Sequence, residues 1–226
     1  VRKLIALLCL VFCLSCGPAL GSPRYARTAR QLAHMNHATV ALVAEFDGKD
    51  RSYCTGSFIA HDTVITAGHC VFLDDIRVVT YAEYLEDGEK YHTNSGQWFT
   101  VERVGSDKDL ALLKLAEGEV LPYHTVLSLA TQPPVQGENV YMVAHPRGYS
   151  WTLTAGVVSY MVRNDEGAFD YYSLYVQHVT QGAPGSSGAP LLNQENQLVG
   201  VHSWGHGNAY LSFSVHLDVV KEFLNE

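Results

Sequence analysis

From Ala38 onward, apolar and polar positions alternate in short runs broken by turn residues. "ATVALVAEF", "SFIAHDTVITA", "IRVVTYAEYL", "QWFTVERVG", "LALLKL", "NVYMVAHP", "LTAGVVSYM", "YYSLYVQHV", "QLVGVHSW" and "LSFSV" are rich in Val, Ile, Thr, Tyr and Phe, with Asp-Gly, Pro and Asn between them. Many short strands without intervening helical periods predict an all-β sandwich or barrel. Only the end departs: in "VHLDVVKEFLNE", Val215, Val219, Val220, Phe223 and Leu224 fall on one helical face, which predicts a C-terminal helix over 215–226. "LPYHTVLSLATQPPVQGE", from Leu121 to Glu138, contains Pro and is weakly patterned, as suits a linker between two β halves, 38–120 and 121–214.

Ahead of this body the pattern differs. Arg2 and Lys3 precede an apolar run from Leu4 to Leu14 and then small residues, the layout of a secretory signal peptide over 1–21 rather than of a buried helix. The run is too short to cross a bilayer comfortably. Two exits are open: cleavage after Gly21, with Ala19 and Gly21 as the small pair, or lipidation at Cys16 in the imperfect lipobox "CLSCG". Release is the expectation, giving a secreted or periplasmic monomer that meets no membrane unless Cys16 is lipidated. Residues 22–37, with Arg24, Arg27 and Arg30 in "SPRYARTARQLAHMN", read as a leader or short propeptide.

Composition narrows the function. The chain has 226 residues, 47% hydrophobic and 17% charged, enough to bury a substantial core. A net charge of -8 with no Lys/Arg cluster excludes nucleic acid as a partner. Of five cysteines, Cys9, Cys13 and Cys16 lie in the targeting segment, so an exported chain keeps Cys54 and Cys70, which read as one disulfide. In the chain-entropy model that link contributes about 3 kcal/mol. A thiol pair this far apart with no CxxC makes a poor zinc signature.

Nucleophilic catalysis by serine needs a base within reach, a carboxylate to orient it and N–H donors for the oxyanion. "VITAGHC" sets His69 beside Cys70 at a strand end, "SDKDLALLKL" sets Asp109 where a loop enters an apolar strand, and "GAPGSSGAP" offers two serines in a tight turn. Separately, these would be a structural His, a turn Asp and a loop; jointly and in this order they are a constellation.

"TAGHC", "DLALLKL" and "GSSGAP" resemble the three signature segments of the chymotrypsin-like (trypsin-like) serine proteases, and "CTGSF", "SWG" and the terminal helix extend the likeness over Ala38 to Glu226. The resemblance implies two six-stranded antiparallel β-barrels, an active site between them and no cofactor. The pattern GxSGxP falls on Gly185, Ser187, Gly188 and Pro190, making Ser187 the nucleophile rather than Ser186. His69 matches the base and Asp109 the orienting carboxylate, with Asp107 as its rival. The N–H groups of Gly185 and Ser187 match the oxyanion hole, and Ser203, Trp204 and Gly205 match the strand that pairs with a polypeptide substrate.

Ser186 stands where trypsin and its relatives carry Asp, and no Ile-Val-Gly-Gly start is visible near Arg30, so activation by N-terminal insertion is not expected. In this the chain is similar to bacterial glutamyl endopeptidases and HtrA-type proteases rather than vertebrate trypsin. "AHPRGYSWTLTAGVVS" also resembles the HtrA-type segment, though no PDZ module is expected. Gln181 occupies the trypsin pocket's acidic position, which removes the basis for Lys/Arg preference. His202 matches a histidine of the glutamyl endopeptidases and suggests Glu or Gln before the scissile bond. Those enzymes also place Ser or Thr where this chain has Gly182; Thr180 is out of register.

Glu83, Glu86, Asp87 and Glu89 form a solvated hairpin or, less simply, a calcium site. His34/His37 and His202/His206 have metal-like spacing outside helical patterns, so no metal is expected. The rivals to an endopeptidase are a protease-fold binding protein without turnover and an esterase-biased hydrolase.

Overall fold

The computed structural model describes residues 29–46, 49–71, 75–80, 83–86, 89–92, 96–163 and 174–226. Expected signal residues 1–21 and the side chains of Glu83, Glu86, Asp87 and Glu89 lie outside them. Period-two burial, seen along Gln97–Gly105 as an inward Phe99 between outward Trp98 and Thr100, gives such strands one apolar face, while strands at the seam, such as Thr63–Thr66 and Leu198–His206, are buried almost continuously. Turning those faces inward closes two barrels.

The first barrel contains β1 (Thr39–Phe46), β2 (Lys49–Ala60), β3 (Thr63–Thr66), β4 (Asp75–Thr80), β7 (Gln97–Gly105) and β8 (Leu110–Leu115), in the order β1-β2-β3-β8-β7-β4. Strands β5 (Glu83–Glu86) and β6 (Glu89–His92) form a separate hairpin that sets Glu86 opposite Glu89. The second barrel contains β9 (Asn139–Ala144), β10 (Thr152–Arg163), β11 (Leu174–His178), β12 (Pro190–Leu192), β13 (Leu198–His206) and β14 (Leu211–His216), in the order β10-β11-β14-β13-β12-β9. The strand pairings within both barrels are antiparallel, giving the two six-stranded barrels that the family resemblance implies.

Each barrel has its own core. Leu42, Phe58, Val64, Val78 and Phe99 fill the first, and Val140, Val158, Val176, Leu191 and Val199 the second. A third cluster joins them: Ile65 and Leu112 of the first barrel meet Tyr141, Val143, Leu198 and Val201 of the second. Burying this seam fixes the cleft between the barrels, because interiors packed to crystal-like density do not slide.

Residues expected as a polar leader include a docked helix, α1 (Ala29–Ala38). Met35 and Ala38, one turn apart, are fully buried in the seam. Its final carbonyls are satisfied: Thr125 donates to His34 through its hydroxyl (2.7 Å) and to His37 through its N–H (3.2 Å), and the Thr39 hydroxyl donates to Met35 (2.9 Å). The apolar stripe is narrow, so sequence polarity hid it; His34 and His37 therefore do lie on a helix. Met35→Ala is expected to lower unfolding free energy by about 2–5 kcal/mol, read as an earlier midpoint in urea. An unshifted midpoint would show α1 to be dispensable.

The C-terminal helix, α2, spans Leu217–Leu224 and buries Leu217, Val220 and Phe223. Val215, expected within it, lies in β14 instead, paired with Val201 and Tyr175. His216 caps the helix through Nδ1, which accepts from the Asp218 N–H at 3.2 Å. Lys108, at the turn leading into β8, reaches Glu226 at 2.9 Å and Glu222 at 3.6 Å, so α2 and the residues after it hold this turn from outside.

Candidate active site

The strand ends on either side of the seam form a cleft of about 670 Å³ lined by His69, Asp109, Gln181, Ser187, His202 and Ser203, among others. His69 leaves β3 on a single 3-10 turn, Gly68–Cys70. The next residue, Cys70, is bonded to Cys54 of β2 with 6.2 Å between Cα atoms, which ties the imidazole's backbone to the first barrel. The expected disulfide is thus formed.

Asp109 is fully buried and adopts φ 53°, a left-handed conformation that Asp tolerates better than most residues. It accepts the backbone N–H of His69 at 2.9 Å, His69 Nδ1 at 3.0 Å and the hydroxyl of Ser203. The two bonds to His69 hold it from behind and leave Nε2 for the cleft. Asp107 faces solvent and pairs with Lys108 at 3.4 Å, so the rival carboxylate lies elsewhere.

The two serines have separate fates. Ser186 is fully buried, and its Oγ accepts the Ala183 N–H at 3.2 Å. Ser187 is partly open to the cleft, and its Oγ donates to the Ser203 carbonyl at 3.4 Å rather than to His69. The Oγ is carried on a single rotatable bond, Cα–Cβ, whose staggered positions offer it other directions.

Gly185 shapes the turn. Its φ is 99°, and a Cβ there would stand 2.3 Å from the His145 carbonyl, so other residues are excluded. The Pro184 carbonyl accepts the Arg147 N–H at 2.7 Å. Because the peptide is trans, the Gly185 N–H points the opposite way, away from Arg147.

The predicted pocket residues divide. Gln181 is exposed at the cleft. Trp204 stacks on Phe213 with ring centroids 3.7 Å apart, while Gly205 is exposed. His202 is buried, and a Cβ on Gly182 would lie 2.6 Å from its Nε2, so the imidazole takes the space that Ser or Thr would need there. Nδ1 of His202 is buried with no partner among the described residues. Thr180 turns inward and bonds His178 Nδ1 at 2.6 Å; it is not a pocket residue.

Sequence reasoning missed His178, which lies behind His202 with ring centroids 6.0 Å apart and bonds Ser214 at 2.8 Å. The inward phase of "LYVQH" was the available signal. It also missed His145 under the serine turn and Arg147 at the cleft. Cys54, His69 and Cys70 bring potential metal ligands within 4.8 Å of one another, but the two sulfurs are joined to each other.

Burial holds these inner imidazoles neutral. His145 is pushed down to about 3 by desolvation. His202 is pushed down to about 4, by burial first and by the neighbouring His69 second, against an opposing effect of Asp109. His178 lies well below the ordinary value from burial and His202. The unfolded chain protonates its histidines near 6.5, so it takes up protons before the folded chain does. Stability from these groups is complete above about pH 6.5 and falls on acidification, by up to about 1.4 kcal/mol per pH unit for each histidine. A urea midpoint lower at pH 5 than at pH 7 is expected; an unchanged midpoint would contradict it.

Comparison with known proteins places this geometry. Residues 54–201 match the family described as trypsin-like peptidase domain. A protein of Hahella chejuensis, "Probable periplasmic serine endoprotease DegP-like", is 34% identical over 134 residues, which is 56% of this chain and 27% of that one. Serine protease HTR4 of Bos taurus is 29% identical over 178 residues, 77% of this chain and 34% of that one. The chain thus spans about a quarter to a third of the length of these relatives. The HtrA-type protease AlgW with tripeptide superposes with a TM-score of 0.70 at 18% identity, covering 88% of this chain and 63% of that chain. The active form of the Rv3671c protease from M. tuberculosis gives 0.69 at 19% identity, covering 88% and 91%. Among the described residues, no helix is long and apolar enough to cross a membrane.

Proposed function

The chain belongs to the trypsin-like peptidase family, and from that premise we propose that it is an exported serine endopeptidase acting through an acyl-enzyme on Ser187. The observation that carries this reading is the set of bonds on Asp109, which grips His69 twice from behind while His69 and Ser187 open into one cleft. Nε2 of His69 takes the Ser187 hydroxyl proton as Oγ attacks the scissile carbonyl. The oxyanion is met by the N–H groups of Gly185 and Ser187. The carbon–nitrogen bond then breaks, His69 returns the proton to the leaving amine, and water repeats the sequence to free the acid. Substrate backbone runs along Ser203–Gly205, beyond Val201, opposite which β12 begins at Pro190. Export rests on the apolar segment behind Arg2 and Lys3, and the periplasmic names of relatives agree with it.

Preference before the scissile bond falls to His202. With Nδ1 buried and unpartnered, the single proton of the neutral ring is best placed on Nε2, facing Gly182 and the cleft. A neutral N–H donor suits the side-chain oxygen of Gln or Glu. Digestion of a diverse peptide library should give cuts after Gln or Glu, and His202→Ala should level that preference by about tenfold or more, the worth of one hydrogen bond to a buried group. Cuts spread over other residues, unaltered by the substitution, would leave the protease and remove the pocket role.

A further inference from the structure

Thr55 follows the disulfide cysteine and is fully buried beneath the serine turn. Its N–H donates to the Ser187 carbonyl at 2.8 Å, and its hydroxyl donates to the Gly185 carbonyl at 2.7 Å. The two bonds hold both ends of the tripeptide whose first and last N–H groups are assigned above to the oxyanion. The hydroxyl's acceptor side is also filled: the His145 N–H donates to it at 3.1 Å, and His145 Nδ1 lies 3.2 Å away. A carbonyl can only accept, so the Thr55 proton is committed to Gly185 and the proton of the second contact belongs to Nδ1. Thr55 is itself pinned, since its carbonyl accepts the Thr66 hydroxyl at 2.7 Å.

We propose that Thr55 is the positioning residue of the oxyanion hole, its hydroxyl fixing the Gly185 carbonyl and with it the direction of the donors on either side. The proposal rests on the assignment of those donors to Gly185 and Ser187. Gly185 turns more easily about its backbone bonds than any other residue type, so an external bond must hold it. The N–H of Thr55 would survive any substitution except proline; the hydroxyl needs Thr or Ser. Without it, the buried Gly185 carbonyl and two His145 donors lose their partner together.

The test compares Thr55→Val, which keeps the shape and removes the donor, with Thr55→Ser, which keeps it. On a fluorogenic peptide cut by the wild type, Thr55→Val should lower kcat about tenfold to a hundredfold, less than a lost oxyanion donor, with KM nearly unchanged. It should weaken a peptide boronate, which mimics the tetrahedral adduct, by the same factor, and Thr55→Ser should recover most of both losses. Undiminished kcat in Thr55→Val, a loss confined to KM, or equal losses in Val and Ser variants would overturn the proposal. Thr55→Ala replaces the valine variant if that does not fold. Crystal structures of the wild type and the variant decide the positioning role even if the wild type cuts no peptide, an outcome that would count against the proposed function instead. A rotated Gly185 peptide supports the proposal, and an unmoved one overturns it.

Discussion

Replacing Ser187 by alanine is expected to lower peptide turnover about a millionfold, and His69→Ala should cost about as much. The double variant should be scarcely worse than either alone, because the hydroxyl and the imidazole act as one unit: an unactivated hydroxyl is a weak nucleophile, and a base without a nucleophile has nothing to activate. The loss corresponds to about 8 kcal/mol of transition-state stabilisation. Residual turnover above water would measure what Gly185, Ser187 N–H and substrate binding supply unaided. Ser186→Ala is the sharp control, since its Oγ is buried and accepts the internal Ala183 N–H. It should leave turnover within about tenfold, the worth of one hydrogen bond. Long incubations of purified variants, with product counted by mass spectrometry, read this range. Equal losses from Ser186→Ala and Ser187→Ala would show that the turn, not the Ser187 hydroxyl, is what matters.

Asp109→Asn should cost about ten thousandfold in kcat while leaving the fold intact. Asp109 accepts three bonds, from the His69 N–H, His69 Nδ1 and the Ser203 hydroxyl, and has no donor to place. An asparagine keeps one oxygen and brings an NH2 group that must face an acceptor. His69 can provide one only by unloading Nδ1, which moves the ring proton to Nε2 and removes the base from the cleft. The effect should appear in kcat with little change in KM, and it should shrink at high pH if hydroxide substitutes for the missing base. Asp107→Asn, on an exposed residue paired with Lys108, should leave kcat within about twofold. Comparable losses from both carboxamides would contradict the assignment.

The strands were legible because their signal is local, whereas their closure into two barrels came only with the family resemblance. Short β-branched runs with turn residues between them need only the alternation of one inward face, and strands such as Gln97–Gly105 and Thr152–Arg163 follow it over much of their length. Other features depend on partners far along the chain. The α1 helix reads as polar because Met35 is packed by residues of both barrels rather than by a wide apolar face of its own. Val215 sits one turn before α2 in helical phase, but pairing with Val201 and Tyr175 claims it for β14. "SFIAHDTVITA" reads as one run, yet His61 and Asp62 turn it into parts of β2 and β3.

Site residues follow the same division. His69, Asp109 and Ser187 each sit in a distinctive short segment at an element end. Their proximity, by contrast, depends on the seam that brings β3 and β8 of one barrel against the serine turn and β13 of the other. Thr55 was visible in "CTGSF" but unreadable as a contact of Gly185, which lies 130 residues away. His178 has an inward phase, and only closure of β11 against β14 puts it behind His202. The Gly182 position could not be resolved from spacing either: the sequence shows a missing hydroxyl, whereas the structure shows an imidazole in that space.

The central claim is that Ser187 is an activated nucleophile. Treating the folded protein with a fluorophosphonate and mapping the adduct by mass spectrometry tests it without knowledge of the substrate. A single adduct on Ser187, absent from His69→Ala and from acid-unfolded chain, is the result this account predicts. Label on Ser186, or none on a folded wild-type chain, would contradict it.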